Sequence, residues 1–307
     1  MNKLKYLFDN LYHTFLIVLI GLIQIAFPIS LRAQDSLRMT IYQKIETSDF
    51  NWNIAGNMLG EKPNILSELN FKNLLSLGTG IELSYKPYKL LELSASYEFL
   101  RNLSGKGTDI DYQEDNRTGQ TSLLYFESEN GWYSQLNLSV LYLFFKDTKF
   151  NLGAGINVFV YRRKFGMHST EDSDLTSYYK YRTDGFGLKI KKDYQISPIF
   201  SLQGDFIMNR VYYNSYGNWN LINNFEHPKS FTHLSKGINI GYSLRFSTKI
   251  KNQFSIFFVY NYLTEKTSDG VDTLFLKNGS RPTTKLNQTH LSIHGLRLGI
   301  ILPLFFN

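Results

Sequence analysis

The sequence predicts an all-β chain that crosses a membrane as an antiparallel β-barrel, and three observations carry this prediction. Apolar residues recur at every second position in about ten segments, and a period of two is typical of strands. The mean hydropathy of −0.24 is no higher than that of a water-soluble protein, as expected when only alternate residues meet lipid. Aromatic residues make up 16% of the chain, which suits the belts of Tyr, Trp and Phe at the two membrane interfaces.

An N-terminal leader precedes the predicted barrel. Two lysines come before an apolar run at 15–27, and a Leu-Arg-Ala sequence follows and ends at Ala33. The run is too short for a transmembrane helix, which needs roughly 20 residues, but it has the length of the apolar region of a signal peptide. We therefore predict a signal peptide at 1–33 and a barrel at 34–307, with an N-terminal membrane anchor as the alternative.

The strands follow in order along the chain. Nine segments show the alternation, at 50–54, 77–85, 91–99, 135–144, 150–160, 186–190, 200–209, 238–247 and 254–260. The clearest strand closes the chain, with an unbroken apolar face at Leu296, Leu298, Ile300, Leu302, Leu304 and Phe306. An even number of strands places both termini at the same end, which we expect to be the periplasmic end of an outer-membrane barrel.

The connections between these strands alternate between short and long. Short turns are predicted at 86–89, 146–149, 196–198 and 249–252, and long loops near 57–65, 103–131, 165–180, 212–232 and 264–287. Outer-membrane barrels have short periplasmic turns and longer outer loops. We therefore expect the chain in the cell outer membrane with its loops facing the exterior. A secreted β-sandwich is the alternative, although a sandwich does not need an apolar face on every strand.

The charge of the chain favours lipid over nucleic acid as a partner. The leader holds three basic residues and one acidic residue, so its removal lowers the formal net charge from +7 to +5. The basic residues are scattered over the strand ends rather than clustered on a helix, which favours anionic lipid head groups. There is no cysteine, so the ladder hydrogen bonds of a closed sheet must replace disulfides. We predict a monomer without a metal or a cofactor.

Two predicted loops carry residues with catalytic potential. Asp109 and Asp111 point the same way in an extended segment, so the two carboxylates interact strongly and can share a proton and activate a water. A solvated acidic loop and a weak calcium site are the alternatives for this pair. His227, in a later loop, can act as a general base near neutral pH, or it can be a solvated surface histidine.

These residues resemble the motifs of the omptin family, the ten-stranded outer-membrane endopeptidases. The second outer loop of that family carries Asp-x-Asp-Trp, where this chain has Asp109-Ile110-Asp111-Tyr112. The fourth outer loop carries Asp-Glu-His, where this chain has Phe225-Glu226-His227. Three further segments resemble the family. Arg162 stands where the family has an arginine that binds lipid A phosphate, and Tyr179-Lys180-Tyr181-Arg182 resembles the family's Tyr-Lys-Gln-Arg segment. Residues 66–72 resemble the family's Ser-Gln-Leu-Asp-Trp-Lys segment.

The resemblance implies a divergent omptin, an aspartic-type endopeptidase in which Asp109, Asp111 and His227 activate water. It implies that Arg162 and Arg182 bind lipid A, with lipopolysaccharide as an activator, and that the substrates are peptides or proteins at the cell surface.

The chain departs from the family at two positions, Phe225 and Asn223. Phe225 stands where the family has the Asp that orients the His, and Glu226 is the adjacent carboxylate that could replace it. The substrate-binding acids of the family correspond to Asn223 and Glu61. Two functions therefore stay open, an omptin-like endopeptidase and a barrel of omptin shape that acts as an adhesin or structural protein without proteolysis.

A diffusion pore is a third class of function, and the predicted interior argues against it. About ten strands leave a lumen close to the size that side chains fill. We expect ion pairs and hydrogen bonds to close the lumen, from Glu82, Glu92, Glu98, Asp205, Arg245 and Arg297.

Overall fold

The computed structural model describes residues 37–169, 174–250 and 254–304, so the predicted signal peptide and Phe306 lie outside the described residues. The described residues form eleven strands: β1 Leu37–Ile54, β2 Ser67–Tyr88, β3 Leu91–Tyr112, β4 Gln120–Glu127, β5 Trp132–Lys146, β6 Phe150–His168, β7 Thr176–Gln195, β8 Phe200–Asn218, β9 Phe231–Ile250, β10 Phe254–Leu274 and β11 Thr283–Leu304. One short 3-10 turn, Asp115–Arg117, precedes β4. No helix among the residues described is long and apolar enough to cross a membrane.

The strands close into a ring. Strands that adjoin in the ring pair antiparallel, and β11 pairs with β1, where Leu37 is the register partner of Leu304. β4 and β5 share one place in the ring, because β3 pairs with β5 over its first half and with β4 over its second half. The ring therefore has ten places, and the predicted antiparallel barrel of about ten strands is confirmed.

Side chains alternate between the inside and the outside of the ring. On β1, Tyr42, Lys44 and Glu46 are buried inside, whereas Ile41 and Ile45 are exposed on the outer wall. The other strands extend this exposed apolar belt, with Leu77, Ile81, Leu83, Tyr97, Phe99, Tyr142, Phe144, Ile156, Phe186, Leu188, Phe206, Met208, Ile238, Ile240, Leu244, Phe258, Leu296 and Leu298. An apolar belt of this extent is stable only when lipid covers it.

The strands are longer than the sequence pattern predicted. The expected long loops near 103–131, 165–180, 212–232 and 264–287 are wrong in their extent, because most of these residues belong to strands. The first strand also begins at Leu37 rather than at Phe50. Beyond the apolar belt the outer wall meets water, so its residues are polar and the alternation fades although the strand pairing continues. We call the end with these long connections the loop end and the opposite end the turn end.

Ion pairs fill the middle of the lumen. Lys44 Nζ lies 2.9 Å from a carboxylate oxygen of Glu46 and 2.9 Å from one of Glu98. Arg297 approaches Glu98 at 3.5 Å, and further pairs join Arg245 to Glu82, Lys191 to Glu92 and Lys189 to Asp205. The predicted filling of the lumen is confirmed. Because such groups are costly to bury unless they are paired, the network holds the walls in one arrangement.

An apolar cluster fills the lumen between the ion pairs and the loop end. We call it the upper core, and its members include Phe50, Trp52, Leu69, Phe71, Phe126, Phe165, Tyr179, Tyr181 and Phe231. The ring of Phe50 stacks on Tyr181 at a centroid distance of 5.2 Å, and Trp52 meets Phe231 edge-on at 5.7 Å. Aromatic pairs of this geometry contribute about 0.5–1.5 kcal/mol each beyond their area burial. The upper core therefore gives the loop end a dry, rigid floor.

Candidate active site at the loop end

Asp109 and Asp111 lie on the inner face of β3. Asp109 is the register partner of Leu69 on β2, and Asp111 is the partner of Ser67. Leu69 is fully buried in the upper core, and cross-strand partners share a face of the sheet. Both carboxylates therefore project toward the lumen at its loop end.

An irregularity in the sheet puts the two carboxylates on this face. The β2–β3 register shifts between Lys72 and Leu75, where Asn73 has a positive φ of 53°, and again between Leu75 and Ser76. At the second shift β3 advances by two residues, from Asn102 to Ser104, while β2 moves by one. Before this shift, even-numbered residues of β3 such as Leu100 are buried in the lumen. Beyond it, odd-numbered residues face the lumen, because Asp109 shares the face of buried Leu69. A bulge of this kind re-aims the residues that follow it. In an uninterrupted ladder, Asp109 would face outward.

The surroundings of Asp109 favour its protonated form. The edge of the lipid belt is marked by exposed basic residues, namely Arg101 and the register partners Lys72 and Lys106. Asp109 follows Arg101 and Lys106 along β3 and therefore lies beyond the membrane-spanning part of this strand. Burial, and secondly the negative charge of Asp111, raise the pKa of Asp109 from 3.8 to about 8. Asp111 accepts a hydrogen bond of 2.8 Å from the Ser122 hydroxyl of β4. At neutral pH the pair therefore holds one proton on Asp109.

His227 lies in the connection between β8 and β9, and its Nδ1 is 2.9 Å from Oδ1 of Asn218. Asn218 is the last residue of β8. The imidazole donates through Nδ1–H to the amide oxygen of Asn218, since that oxygen can only accept. Nε2 then carries the lone pair. Within the part of the chain that the structure describes, no hydrogen-bond partner of Nε2 is seen.

Ser230 fixes the relative position of Asn218 and His227. Its amide donates to the carbonyl of Gly217 at 2.8 Å, next to Asn218. Its hydroxyl accepts from the Trp219 amide at 2.9 Å and donates to the Glu226 carbonyl at 3.0 Å, next to His227. Ser230 is fully buried. The segment 218–227 is therefore tied at both ends to the buried Ser230.

Glu226 makes its contact away from His227. Its Oε1 accepts from Arg281 at 2.6 Å, and its amide donates to the Phe275 carbonyl at 2.9 Å. Phe225 forms a β-bridge with Leu276 in the same connection between β10 and β11. In this arrangement Asn218, rather than Glu226, is the partner of His227. No sequence pattern indicates Asn218, because its contact with His227 depends on the path of the chain between β8 and β9.

The two residues aligned with substrate-binding acids lie on different connections of the loop end. Glu61 is exposed in the connection between β1 and β2, where its amide donates to Oδ1 of Asn57 at 3.0 Å. Asn223 is exposed in the connection between β8 and β9. Neither side chain contacts Asp109 or His227 in a hydrogen bond, among the residues described.

Two clamps join the connections of the loop end in pairs. In the first clamp, the Asn64 amide donates to Asp115 Oδ1 at 2.7 Å and Arg117 Nε donates to Glu68 Oε2 at 3.0 Å. This clamp holds the β1–β2 and β3–β4 connections together. The second clamp is the Glu226–Arg281 pair with its backbone bonds, and it holds the β8–β9 and β10–β11 connections together.

The candidate catalytic groups come from opposite walls. β3 lies across the ring from β8 and β9, so the Asp109–Asp111 pair and His227 belong to opposite sides of the loop end. The upper core forms the floor between them, because Leu69 and Phe231 both belong to it. An extended peptide laid between the two clamps would meet an acidic wall on one side and the imidazole on the other.

A second histidine, His233, is buried beneath this site. Its Nδ1 lies 2.8 Å from the Tyr179 hydroxyl, its Nε2 lies 3.3 Å from Asp272, and Trp52 covers its ring edge-on at 4.7 Å. No sequence pattern indicates this cluster, because His233 and Asp272 are 39 residues apart and form no motif. Complete burial excludes contact with a substrate, so His233 supports the floor of the site.

Arg162 and Arg182 are direct register partners on the outer wall of β6 and β7, and both are exposed. Arg182 Nε donates to Asp184 at 2.9 Å. The next outward pair is Lys164 opposite Lys180. We call these four residues the cationic wall. Like charges placed directly opposite each other destabilise a sheet, so the arrangement favours an anion between them.

Comparisons with known proteins bear on the fold. No family model and no curated protein matches the chain. The outer membrane protease OmpT from Escherichia coli is similar in structure, with a TM-score of 0.69 and 14% identity over 90% of this chain and 100% of that chain. The translocator domain of the autotransporter NalP from Neisseria meningitidis reaches a TM-score of 0.42 with 9% identity, over 96% of this chain and 98% of that chain. At these identities the likeness to OmpT establishes an outer-membrane barrel fold.

Proposed function

We propose that the chain is an omptin-like endopeptidase of the cell outer membrane, with its loop end facing the exterior and cleaving peptides or proteins at the cell surface. The single observation that carries the proposal is the inward-facing Asp109–Asp111 pair, which holds one proton beside an apolar floor. The oriented imidazole of His227 on the opposite wall and the fold shared with OmpT support it.

The proposed chemistry is hydrolysis by an activated water. Asp109 and Asp111 hold the water, and His227 Nε2 takes one of its protons. The hydroxide adds to the scissile carbonyl, the carbonyl electrons move onto oxygen, and their return breaks the C–N bond. The imidazolium of His227 gives its proton to the leaving amine, and the protonated carboxyl of Asp109 hydrogen-bonds the oxyanion. All atoms come from water and the peptide.

In this proposal Asn218 orients the imidazole of His227, as an Asp does in a catalytic triad. Its amide oxygen accepts from Nδ1 of His227 and so leaves Nε2 as the base. Cys–His–Asn proteases orient their imidazole with an Asn in the same way. A neutral amide does not stabilise the imidazolium charge, however, so we expect catalysis to be slow.

Substrate selection in this proposal rests on the connections around the groove. Glu61 is the acid available to attract a basic side chain of the substrate, whereas Asn223 is neutral. We therefore expect a weaker preference for Arg or Lys than two acids would give.

The cationic wall supports a role for lipopolysaccharide in the proposal. Arg162 and Arg182 would bind the phosphates of lipid A, because the guanidinium fork donates two hydrogen bonds to a phosphate. Their β6 and β7 strands continue toward the loop end to Phe165 and Tyr179 of the upper core, so bound lipid would stabilise the floor of the site. Lipopolysaccharide is in this way the expected activator.

The experiment is peptide cleavage by protein purified from outer membranes, with and without lipopolysaccharide. A mixed peptide library is incubated with the native protein and with Asp109→Ala, Asp111→Ala and His227→Ala, and the products are read by mass spectrometry. Asn224→Ala, in the same connection as His227, is the matched control. We expect fragments from the native protein and the control and none from the three variants.

One observation favours a second function. Phe225 removes the acid that the omptin motif places before the His, and it serves a β-bridge with Leu276 instead. A surface barrel without proteolysis, an adhesin or a structural protein, is therefore the alternative proposal. It is accepted if native protein with lipopolysaccharide cleaves no peptide of the library.

A further inference from the structure

The turn end of the barrel contains a chamber that the proposed endopeptidase does not use. It encloses about 600 Å³ inside the ring, at the opposite end of the barrel from Asp109. Its walls carry six cationic side chains, Arg38, Lys86, Lys149, Lys191, Arg245 and Lys249, and three carboxylates, Glu82, Glu92 and Asp193. We call this space the turn-end chamber.

The carboxylates of the chamber are already paired with cations. Glu92 accepts from Lys191 at 2.7 Å and lies 3.3 Å from Lys86, so one negative charge serves two ammonium groups. Glu82 is taken by Arg245 at 3.3 Å, and Asp193 lies 3.9 Å from Lys191. Through these four ion pairs, the charged side chains in the deep part of the chamber mostly bind one another.

Three cations at the mouth pair with no acidic side chain of the described residues. Arg38 lies on β1, Lys149 in the β5–β6 turn and Lys249 near the end of β9, so the three side chains surround the opening from separate parts of the barrel. Among the residues that the structure describes, none of the three forms a salt bridge. The chamber therefore carries an excess of three positive charges, and low-dielectric walls strengthen the field of such an excess.

We infer that the turn-end chamber binds a compact multivalent oxyanion carrying phosphate or carboxylate groups. Arg and Lys donors from several directions match two or more anionic oxygens, and a monovalent halide cannot meet them together. The lining residues face the lumen, so the barrel wall separates them from the head groups of the bilayer. A water-borne anion is the occupant that can enter.

The upper end of the chamber is closed, which makes it a binding site rather than a path. Glu82, Gln203 and Arg245 line both the chamber and a cavity of about 140 Å³ above it. The Glu82–Arg245 pair lies between the two spaces, and the ion pairs of Lys44 and Glu98 continue the block toward the upper core. An anion that enters from the turn end therefore stops in the chamber.

The test is calorimetric titration of purified full-length protein in dodecyl maltoside at constant ionic strength. Pyrophosphate and citrate are the two probes, and sodium chloride is the monovalent reference. The test variant is Arg38→Gln/Lys149→Gln/Lys249→Gln. The matched control is Lys89→Gln/Lys146→Gln/Lys192→Gln, which removes the same charge from exposed residues of the turn end that do not line the chamber.

We expect saturable binding of at least one oxyanion at one site per chain, and no saturable binding of chloride. The test variant should weaken binding by about tenfold or more, while the control changes it by less than about threefold. Binding of pyrophosphate alone assigns a phosphate ligand, and binding of citrate alone assigns a carboxylate ligand. Absence of saturable binding by native protein, or equal weakening by the two triple variants, overturns the inference. Heat-modifiable migration on gels verifies that each variant is folded.

Discussion

His227 Nδ1 lies 2.9 Å from Asn218 Oδ1, and this contact sets the chemistry that the imidazole can perform. The amide oxygen fixes the tautomer with its proton on Nδ1 and leaves Nε2 free to accept a proton. The two residues are held in place by the same buried Ser230. His227 therefore has the geometry that the proposed general base needs, whereas Asn218 lacks the negative charge that would stabilise the imidazolium.

Replacing Asn218 by Asp adds that charge at the same position. We expect kcat to rise by roughly one to two orders of magnitude, a part of the about 10⁴ that is lost when a triad loses its Asp. The acid limb of the kcat/KM profile should move to higher pH, because a carboxylate favours imidazolium. Asn224→Asp makes the same chemical change in the same connection and should alter neither quantity. Full activity in Asn218→Ala would contradict the positioning role of Asn218.

The proton of Asp109 predicts a loss of activity above about pH 8. The pKa of this carboxyl is raised from 3.8 to about 8 by burial and, secondly, by Asp111, so the pair loses its shared proton in that range. In Asp111→Asn the charge is removed but the burial stays, and we expect the pKa of Asp109 to fall but to remain above 3.8. Carbon NMR of labelled carboxyl groups, assigned with Asp109→Asn, measures both values without any assay of activity. An unchanged pKa in Asp111→Asn would refute the electrostatic coupling.

The same shift predicts how the stability of the loop end depends on pH. The folded state keeps the proton of Asp109 up to about pH 8, whereas the unfolded chain loses it near 3.8. The contribution of Asp109 to stability is therefore fully present below pH 3.8 and is lost as the pH rises toward 8. Hydrogen exchange of β3 amides between these limits measures it. Asp109→Asn should flatten this dependence, and an equal slope in both proteins would contradict the assignment.

The barrel could be predicted from the sequence because its two walls have opposite chemistry. Successive residues such as Ile41 and Tyr42 face lipid and lumen in turn, and the amino-acid sequence shows this alternation without any structure. The ion pairs of the lumen could be predicted for the same reason. Charged residues such as Glu98 and Arg297 alternate with apolar residues along their strands, so they face the lumen when the apolar residues face lipid. The polar extensions of the strands beyond the belt gave no such signal.

The candidate site could be predicted only in part. The spacing of Asp109 and Asp111 placed them on one face, but the extra β3 residue at the register shift between Leu75 and Ser76 decides that this face is the inner one. A register shift depends on the pairing of two strands, which no local pattern encodes. The partners of His227 and Glu226 likewise depend on contacts between separate connections.

Phe225→Asp restores the acid of the omptin motif two residues before His227. We expect it to raise kcat, because a carboxylate there can accept from the imidazole and stabilise its charged form. Phe225→Asn, which has the size without the charge, is the control and should raise kcat less. Cleavage of labelled peptides with lipopolysaccharide present measures the rates. If both native protein and Phe225→Asp stay inert, the endopeptidase proposal fails.

Glu226→Gln should leave kcat within about threefold of the native value. Its carboxylate is engaged by Arg281, and the two side chains are 37% and 38% exposed, so the ion pair contributes only about 0–1 kcal/mol. Any effect of Glu226→Gln should appear in KM, because the Glu226–Arg281 clamp holds the connections that border the groove and does not contact the reacting groups. Arg281→Gln removes the other partner and should give the same small change. A loss of kcat in Glu226→Gln as large as in His227→Ala would instead make Glu226 the acid that supports the imidazole.

Arg162→Ala/Arg182→Ala should weaken binding of lipopolysaccharide and reduce its activation of cleavage. The two guanidinium groups are register partners on the outer wall, so a phosphate between them relieves their repulsion. Charge-assisted hydrogen bonds contribute about 1.5–3 kcal/mol each, so we expect at least about a tenfold loss of affinity in a surface-binding assay at fixed salt. Lys72→Ala/Lys266→Ala removes the same charge from β2 and β10 and should change binding by less than about threefold. If the two double variants bind equally, the attraction is a property of the whole charged surface and the assignment to Arg162 and Arg182 is refuted.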